Sequence, residues 1–226
     1  ENNREKFHKI ISGLSKRCFV PLTVGGWIKN INDIRQILSE GADKVCINSH
    51  ALERPSLISE IASSFGRQCV VVSIDCKLAE NDNYKVCYQS GNIPTKYTPA
   101  EWAKEVELLG AGEIFLTSID RDGTKKGYDE RLISSVTEAV SIPVIASGGV
   151  GNYDDFYLGL KSGAAAVSAA NIFHYIEHST ILAKAHLLQS GIDIRLDSEA
   201  NYKQREFDEQ GRLIMLSSES LSSLDI

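Results

Sequence analysis

A shift of 122 positions lays residues 21–48 on residues 143–170 without a gap. Eight pairs coincide: Pro21/Pro143, Gly26/Gly148, Asn30/Asn152, Asp33/Asp155, Leu38/Leu160, Gly41/Gly163, Ala42/Ala164 and Val45/Val167. Such self-similarity means that one supersecondary unit has been used twice. A half-barrel duplicated and fused gives this pattern, whereas a doubly wound sheet has no need of it. Two small tandem domains are the other option, but no linker separates the copies. The repeat therefore points to an α/β chain of the (β/α)8 TIM-barrel class.

The rest of the chain agrees with repeated strand–helix units. Short β-rich runs at 20–24, 44–48, 70–75, 114–120, 144–147 and 166–170 alternate with helical patterns at 32–40, 55–65, 99–109, 129–139, 154–162 and 180–189. Most runs are nearly continuous apolar residues, as expected for strands covered on both faces. Asn32-Asp33 is expected to open one helix and Gly41 to close it; Thr98-Pro99 and Gly110 frame another. Parallel strands joined by such crossovers make one right-handed sheet. A complete barrel needs eight strands, and six are legible. A helical stretch at 4–17 precedes the first, so the two missing βα units are expected to lie before Glu1. The barrel is expected over 1–196, with a polar, Ser-rich, acidic extension over 197–226.

Composition narrows the function classes. The 226 residues carry a net charge of −6, which disfavours nucleic acid as the main partner. Apolar runs such as 69–74 fall far short of the ~20 residues that span a bilayer, and the polar stretch 1–9 does not resemble a signal peptide. The five cysteines show neither C-x-x-C pairs nor metal-ligand spacing, and their odd number favours a reducing compartment. The cytoplasm is the expected location, without a membrane partner.

Three features fall at strand carboxyl ends, where a barrel places its active site. In Val70-Val71-Val72-Ser73-Ile74-Asp75-Cys76-Lys77, alternation sets Val71, Ser73, Asp75 and Lys77 on one face. If that face lines the lumen, Asp75 is a carboxylate suited to acid–base work; otherwise it caps the following turn. The second feature is Thr117-Ser118-Ile119-Asp120-Arg121-Asp122-Gly123-Thr124, followed by Gly127-Tyr128-Asp129. Backbone amides at such a glycine bind anions, although Asp-Gly pairs also mark ordinary solvated turns. The third is the repeat itself: Gly25-Gly26 with Asn48-Ser49, and Ser147-Gly148-Gly149 with Ala170-Asn171. Glycines between a strand and a helix let amides approach a phosphate, and two copies suggest a ligand phosphorylated at both ends. His174 and His178 stand four apart with no Glu or Cys constellation beside them, so neither metal nor cofactor is expected.

These segments resemble the cyclase subunit of imidazole glycerol phosphate synthase (HisF), a (β/α)8 enzyme of histidine biosynthesis. The resemblance runs through Pro21-Leu22-Thr23-Val24-Gly25-Gly26, Gly41-Ala42-Asp43-Lys44-Val45, Ile47-Asn48-Ser49, residues 68–77, Glu101-Trp102-Ala103, residues 110–129, 142–149 and 191–196. It implies a doubly phosphorylated substrate (PRFAR), and ammonia delivered through the barrel by a glutaminase (HisH-like) partner. Ring closure then yields imidazole glycerol phosphate, with AICAR cleaved off. It gives Asp75 the role of one of two acid–base aspartates. It assigns one phosphate to Asn48 and Ser49, and the other to Asp122, Gly123, Gly149, Ala170 and Asn171, with Thr117 and Ser147 along the substrate. On the barrel floor it makes Asp43 a partner contact and Lys44 with Glu113 half of a charged ammonia gate.

Some positions depart from the family. The first-strand aspartate has no counterpart, Trp27 stands where the family has a third glycine, Asn171 replaces a serine, and the polar extension is longer. The stretch 172–179 reads closer to HisF-like proteins of surface-polysaccharide synthesis, which pair with an amidotransferase to form amidino sugars. That branch is the alternative. An inactive truncated scaffold that docks a glutaminase is a third, non-enzyme alternative.

Overall fold

The computed structural model describes residues 3–79, 82–174, 179–196, 198, 202, 205–209 and 212–214. Helix α1 (Asn3–Ser15) leads into β1 (Thr23–Gly25), α2 (Ile31–Ser39), β2 (Lys44–Ile47), a short α3 (Ser49–Glu53) and α4 (Ser56–Phe65). Then come β3 (Val70–Leu78), β4 (Tyr84–Tyr88), β5 (Ile93–Pro94), α5 (Pro99–Leu108) and β6 (Glu113–Ser118). The order ends with α6 (Glu130–Thr137), β7 (Val144–Ser147), α7 (Tyr153–Lys161), β8 (Ala166–Ser168) and α8 (Ser179–Gln189).

Six strands pair in parallel in the order β1-β2-β3-β6-β7-β8, and β4 and β5 branch off β3 as an antiparallel ribbon. The curled parallel sheet with helices outside it is the TIM-barrel architecture, over six strands. Among the described residues no ladder joins β1 to β8. Phe19 and Val20, at the foot of β1, are exposed.

Burial alternates along the strands more sharply than the apolar runs led one to expect. Val45, Ile47, Val72, Ile74, Ile114, Leu116, Val144 and Ala146 are buried beneath the helices. Their alternates Lys44, Cys46, Ser73, Asp75, Glu113, Phe115, Thr117, Ile145 and Ser147 face the lumen and are only half-buried. Both faces carry apolar residues, yet only the helix-facing one is sealed from water. Trp102 of α5 is the largest side chain fully enclosed in that layer.

The repeat reappears as matched helix starts. Asn30 caps α2 and Asn152 caps α7, each closing a capping box with an aspartate three residues on, Asp33 and Asp155. Asp155 accepts from the Gly151 and Asn152 amides at 2.7 and 3.0 Å. Asp33 accepts from those of Lys29 and Asn30 at 2.9 and 3.3 Å, and from Arg4 of α1. Burial pushes the Asp33 carboxyl up, but the Lys29 amide and the Arg4 guanidinium outweigh it and hold the pKa below its usual value. Asn30 rather than Asn32-Asp33 thus opens α2, because only a residue one step outside the helix can turn its side chain onto the first free amides.

Two elements escaped the sequence. The β4–β5 ribbon reads as polar loop because its strands are short and one face is wet; Tyr84 anchors it, donating to Asp129 at 2.7 Å. Helix α3 is a single turn following Asn48. Beyond 196, Phe207 packs edge-on against Tyr153 of α7 and His186 of α8, with centroids 6.2 and 4.8 Å apart. His178 lies outside the described residues.

Asn152→Ala and Asn30→Ala should each cost about 1 kcal/mol and lower the melting temperature by ~2–4 °C. Thermal unfolding followed by circular dichroism checks this. Unchanged melting in both variants would mean that the repeated caps do not hold their helices.

Candidate active site

The lumen-facing positions converge at the carboxyl ends of β2, β3, β6 and β7. Parallel register sets Asp75 beside Thr117, and Thr117 beside Ser147. The Asp75 carboxylate accepts from Asn48 Nδ2 at 2.7 Å and from Ser73 Oγ at 3.1 Å. Its partners are side chains on the lumen wall, not the backbone of the turn that follows. Burial raises its pKa above the usual carboxylate range, the Ser73 and Asn48 bonds pull it back, and the charge of Asp122 raises it further. A carboxyl held in this way is poised to gain and lose a proton.

A donor to Asp75 fixes the Asn48 amide: its nitrogen faces the carboxylate, and Oδ1 is left buried without a partner. Cys46, one alternation below on β2, is also set against the carboxylate. Burial, followed by the Asp75 charge, pushes its thiol up to about 12, so it remains neutral.

Two pockets flank Asp75. One, of 280 Å³, is lined by Asp122, Gly123, Ser147, Gly149, Ala170 and Asn171. All six were singled out by the sequence. Gly149 adopts φ +109°, and a Cβ there would lie 2.2 Å from the Gly127 carbonyl oxygen. Only glycine lets this loop close, with Gly127 N–H donating to Gly149 O at 2.9 Å. Of the other residues in the Thr117–Asp129 run, Asp120 accepts from the Leu78 amide at 2.7 Å and Asp129 caps α6. Both are structural.

The second pocket, of 400 Å³, is lined by Gly26, Trp27, Lys29, Asn48, Ser49 and Ser73, among others. Ser49 Oγ accepts from the Gln89 amide at 3.1 Å, tying the β4–β5 ribbon to this rim while its own proton stays free to donate. Trp27 holds φ +54°, a left-handed conformation rare for a bulky residue. It occupies the repeat position of Gly149, and Lys29 that of Gly151. That asymmetry was readable from the repeat, but the role of Lys29 at the pocket rim was not.

At the opposite end of the strands, Lys44 and Glu113 form an ion pair across β3. Asp43 beside them is exposed and accepts from the Leu22 amide at 2.7 Å. The five cysteines are free. Among the described residues no group of three or more His, Cys, Asp or Glu is placed to hold a metal, and no helix is long and apolar enough to cross a membrane.

Residues 1–179 match the family model described as "Histidine biosynthesis protein". The chain belongs to that family. It is 47% identical over 197 residues to the imidazole glycerol phosphate synthase subunit HisF of Dictyoglomus turgidum (strain DSM 6724 / Z-1310), covering 87% of this chain and 78% of that protein. It is 45% identical over 211 residues to the putative imidazole glycerol phosphate synthase subunit hisF2 of Vibrio vulnificus (strain YJ016), covering 92% and 77%. The HisF resemblance carried by the motifs is therefore a family membership, and the matched region contains all the lumen residues described above.

In this HisF-family chain, Gly149→Ala should displace the loop between the Gly127 and Gly149 carbonyls. Phosphate affinity at the smaller pocket should fall at least about tenfold, the worth of one or two hydrogen bonds. Amide shifts of Gly123 and Asn171 in a phosphate titration read this directly. Equal titration in variant and parent would show that the loop does not hold the anion.

Proposed function

We propose that the chain is the cyclase subunit of an imidazole glycerol phosphate synthase. It takes ammonia from a glutaminase partner and converts PRFAR to imidazole glycerol phosphate and AICAR. The observation that carries this reading is Asp75: an inward carboxylate, hydrogen-bonded by Asn48 and Ser73, with its pKa raised, between two pockets built from one repeated unit. The relatives named HisF supply the reaction class.

Each residue then has a task. The smaller pocket offers glycine amides to a phosphate, orienting one end of the substrate. Asn48 and Ser73 hold Asp75 where it takes a proton from the attacking nitrogen or returns one to the leaving group. Thr117 and Ser147 flank the path between. Ammonia enters from the amino ends of the strands, past the Lys44–Glu113 pair, with Asp43 at the docking face. The partner is the glutaminase subunit, and the cytoplasm is the place that suits free cysteines and a soluble phosphorylated substrate.

A second reading, an ammonia-using subunit for amidino-sugar synthesis, is favoured by one observation. Trp27 and Lys29 make the larger pocket unlike its glycine-lined counterpart. PRFAR turnover against turnover of an acetamido nucleotide sugar separates the two.

In the gene product that carries this chain, supplied with PRFAR and ammonium, Asp75→Asn should cut kcat by ~10²–10⁴ with little change in KM. Wild-type turnover in that variant would remove Asp75 from the chemistry. The Asp122 charge raises the Asp75 pKa, so removing it lowers the pH at which Asp75 becomes a base. Asp122→Asn should therefore move the acidic limb of the kcat profile to lower pH, and an upward move would contradict the assignment.

A further inference from the structure

The two pockets share one ancestor and no longer share one chemistry. At the smaller, Gly149 and Gly151 leave the backbone bare for an anion. At the larger, the same repeat positions hold Trp27 and Lys29. The indole is 56% exposed, and Phe7 of α1 holds it edge-on at 5.2 Å and 79°. Its backbone keeps the left-handed conformation natural to the glycine it replaces. A strained position kept for a large aromatic side chain at a pocket rim marks a functional demand rather than a packing one.

The pocket floor adds an independent requirement. Asn48 gives its nitrogen to Asp75, and its Oδ1 is buried with no donor. Inorganic phosphate at neutral pH offers chiefly acceptors and leaves that oxygen unpaired, whereas a hydroxyl donates to it. Lys29 gives its amide to Asp33, and among the described residues its ammonium has no ion pair. A donor hydroxyl, an apolar ring face and a negative charge are thus wanted together.

We propose that Trp27 is a specificity-determining residue that makes the larger pocket a site for a phosphorylated sugar ring. The ring stacks on the indole, a hydroxyl donates to Asn48 Oδ1, and the phosphate pairs with Lys29. The inference rests on reading the lumen as the substrate site, and it deepens that reading by naming what the Trp27 end recognises.

The test titrates the chain with ribose 5-phosphate and, separately, with inorganic phosphate. It reads the indole Nε1–H resonance and the emission of Trp27. Trp102 is fully buried, so quencher-accessible emission comes from Trp27. Ribose 5-phosphate should shift and protect the Trp27 signals at concentrations where inorganic phosphate does not. Trp27→Gly relieves the backbone and should stay folded; it should lose about tenfold in ribose 5-phosphate affinity, read at the Asn48 amide, and gain phosphate binding there. Trp27→Phe should keep the sugar preference. Equal responses to both probes, no response to either, or full sugar affinity in Trp27→Gly would each overturn the proposal. None of these readouts needs turnover. Failure here leaves the Asp75 kinetics standing, and inactivity toward PRFAR leaves these titrations intact.

Discussion

The hydrogen bond from Asn48 to Asp75 is the constraint around which the site is arranged. It crosses from the end of β2 to β3 at 2.7 Å, and it settles two orientations at once. The carboxylate is turned into the lumen instead of onto its own turn. The amide oxygen is turned toward the larger pocket, where nothing in the protein meets it. In half-dry surroundings such a bond is stronger than in water, and a missing partner costs correspondingly more. One interaction therefore links the proton-handling group to the recognition of whatever occupies the neighbouring pocket.

Duplication explains how such a site is built, and divergence explains how it gains direction. The caps at Asn30 and Asn152, with Asp33 and Asp155 behind them, orient two helices identically against two strand ends. Two equivalent pockets hold a symmetric ligand in either sense. Trp27 and Lys29 break that equivalence, so a long substrate lies one way round and presents a defined atom to Asp75. The cost is a non-glycine residue in a left-handed conformation, of order 1 kcal/mol, which the Phe7 contact and bound ligand offset.

The barrel was legible because duplication leaves identities that survive reading without a structure. Asp75, Thr117 and Ser147 were legible because strand alternation fixes which side chains share a face. The β4–β5 ribbon was not, since its partner is the far end of β3, nine residues long where six were expected. Local pattern does not announce a pairing decided by tertiary contact. The Asn48–Asp75 bond was hidden for the same reason: 27 residues separate the two, and only register brings them together. Sequence assigned Asn48 to phosphate alone, whereas the structure shows its nitrogen already committed to the carboxylate.

The central claim is that Asp75 is a proton-exchanging group, its carboxyl pushed upward by burial and by Asp122 against the pull of Ser73 and Asn48. Carboxyl ¹³C resonances followed across pH in the unliganded protein test it most directly. The account predicts that Asp75 titrates above the ~3.9 of an unperturbed aspartate, and that the Asn48 side-chain amide signals shift with the same midpoint. An Asp75 that titrates at or below that value, or independently of Asn48, would contradict it.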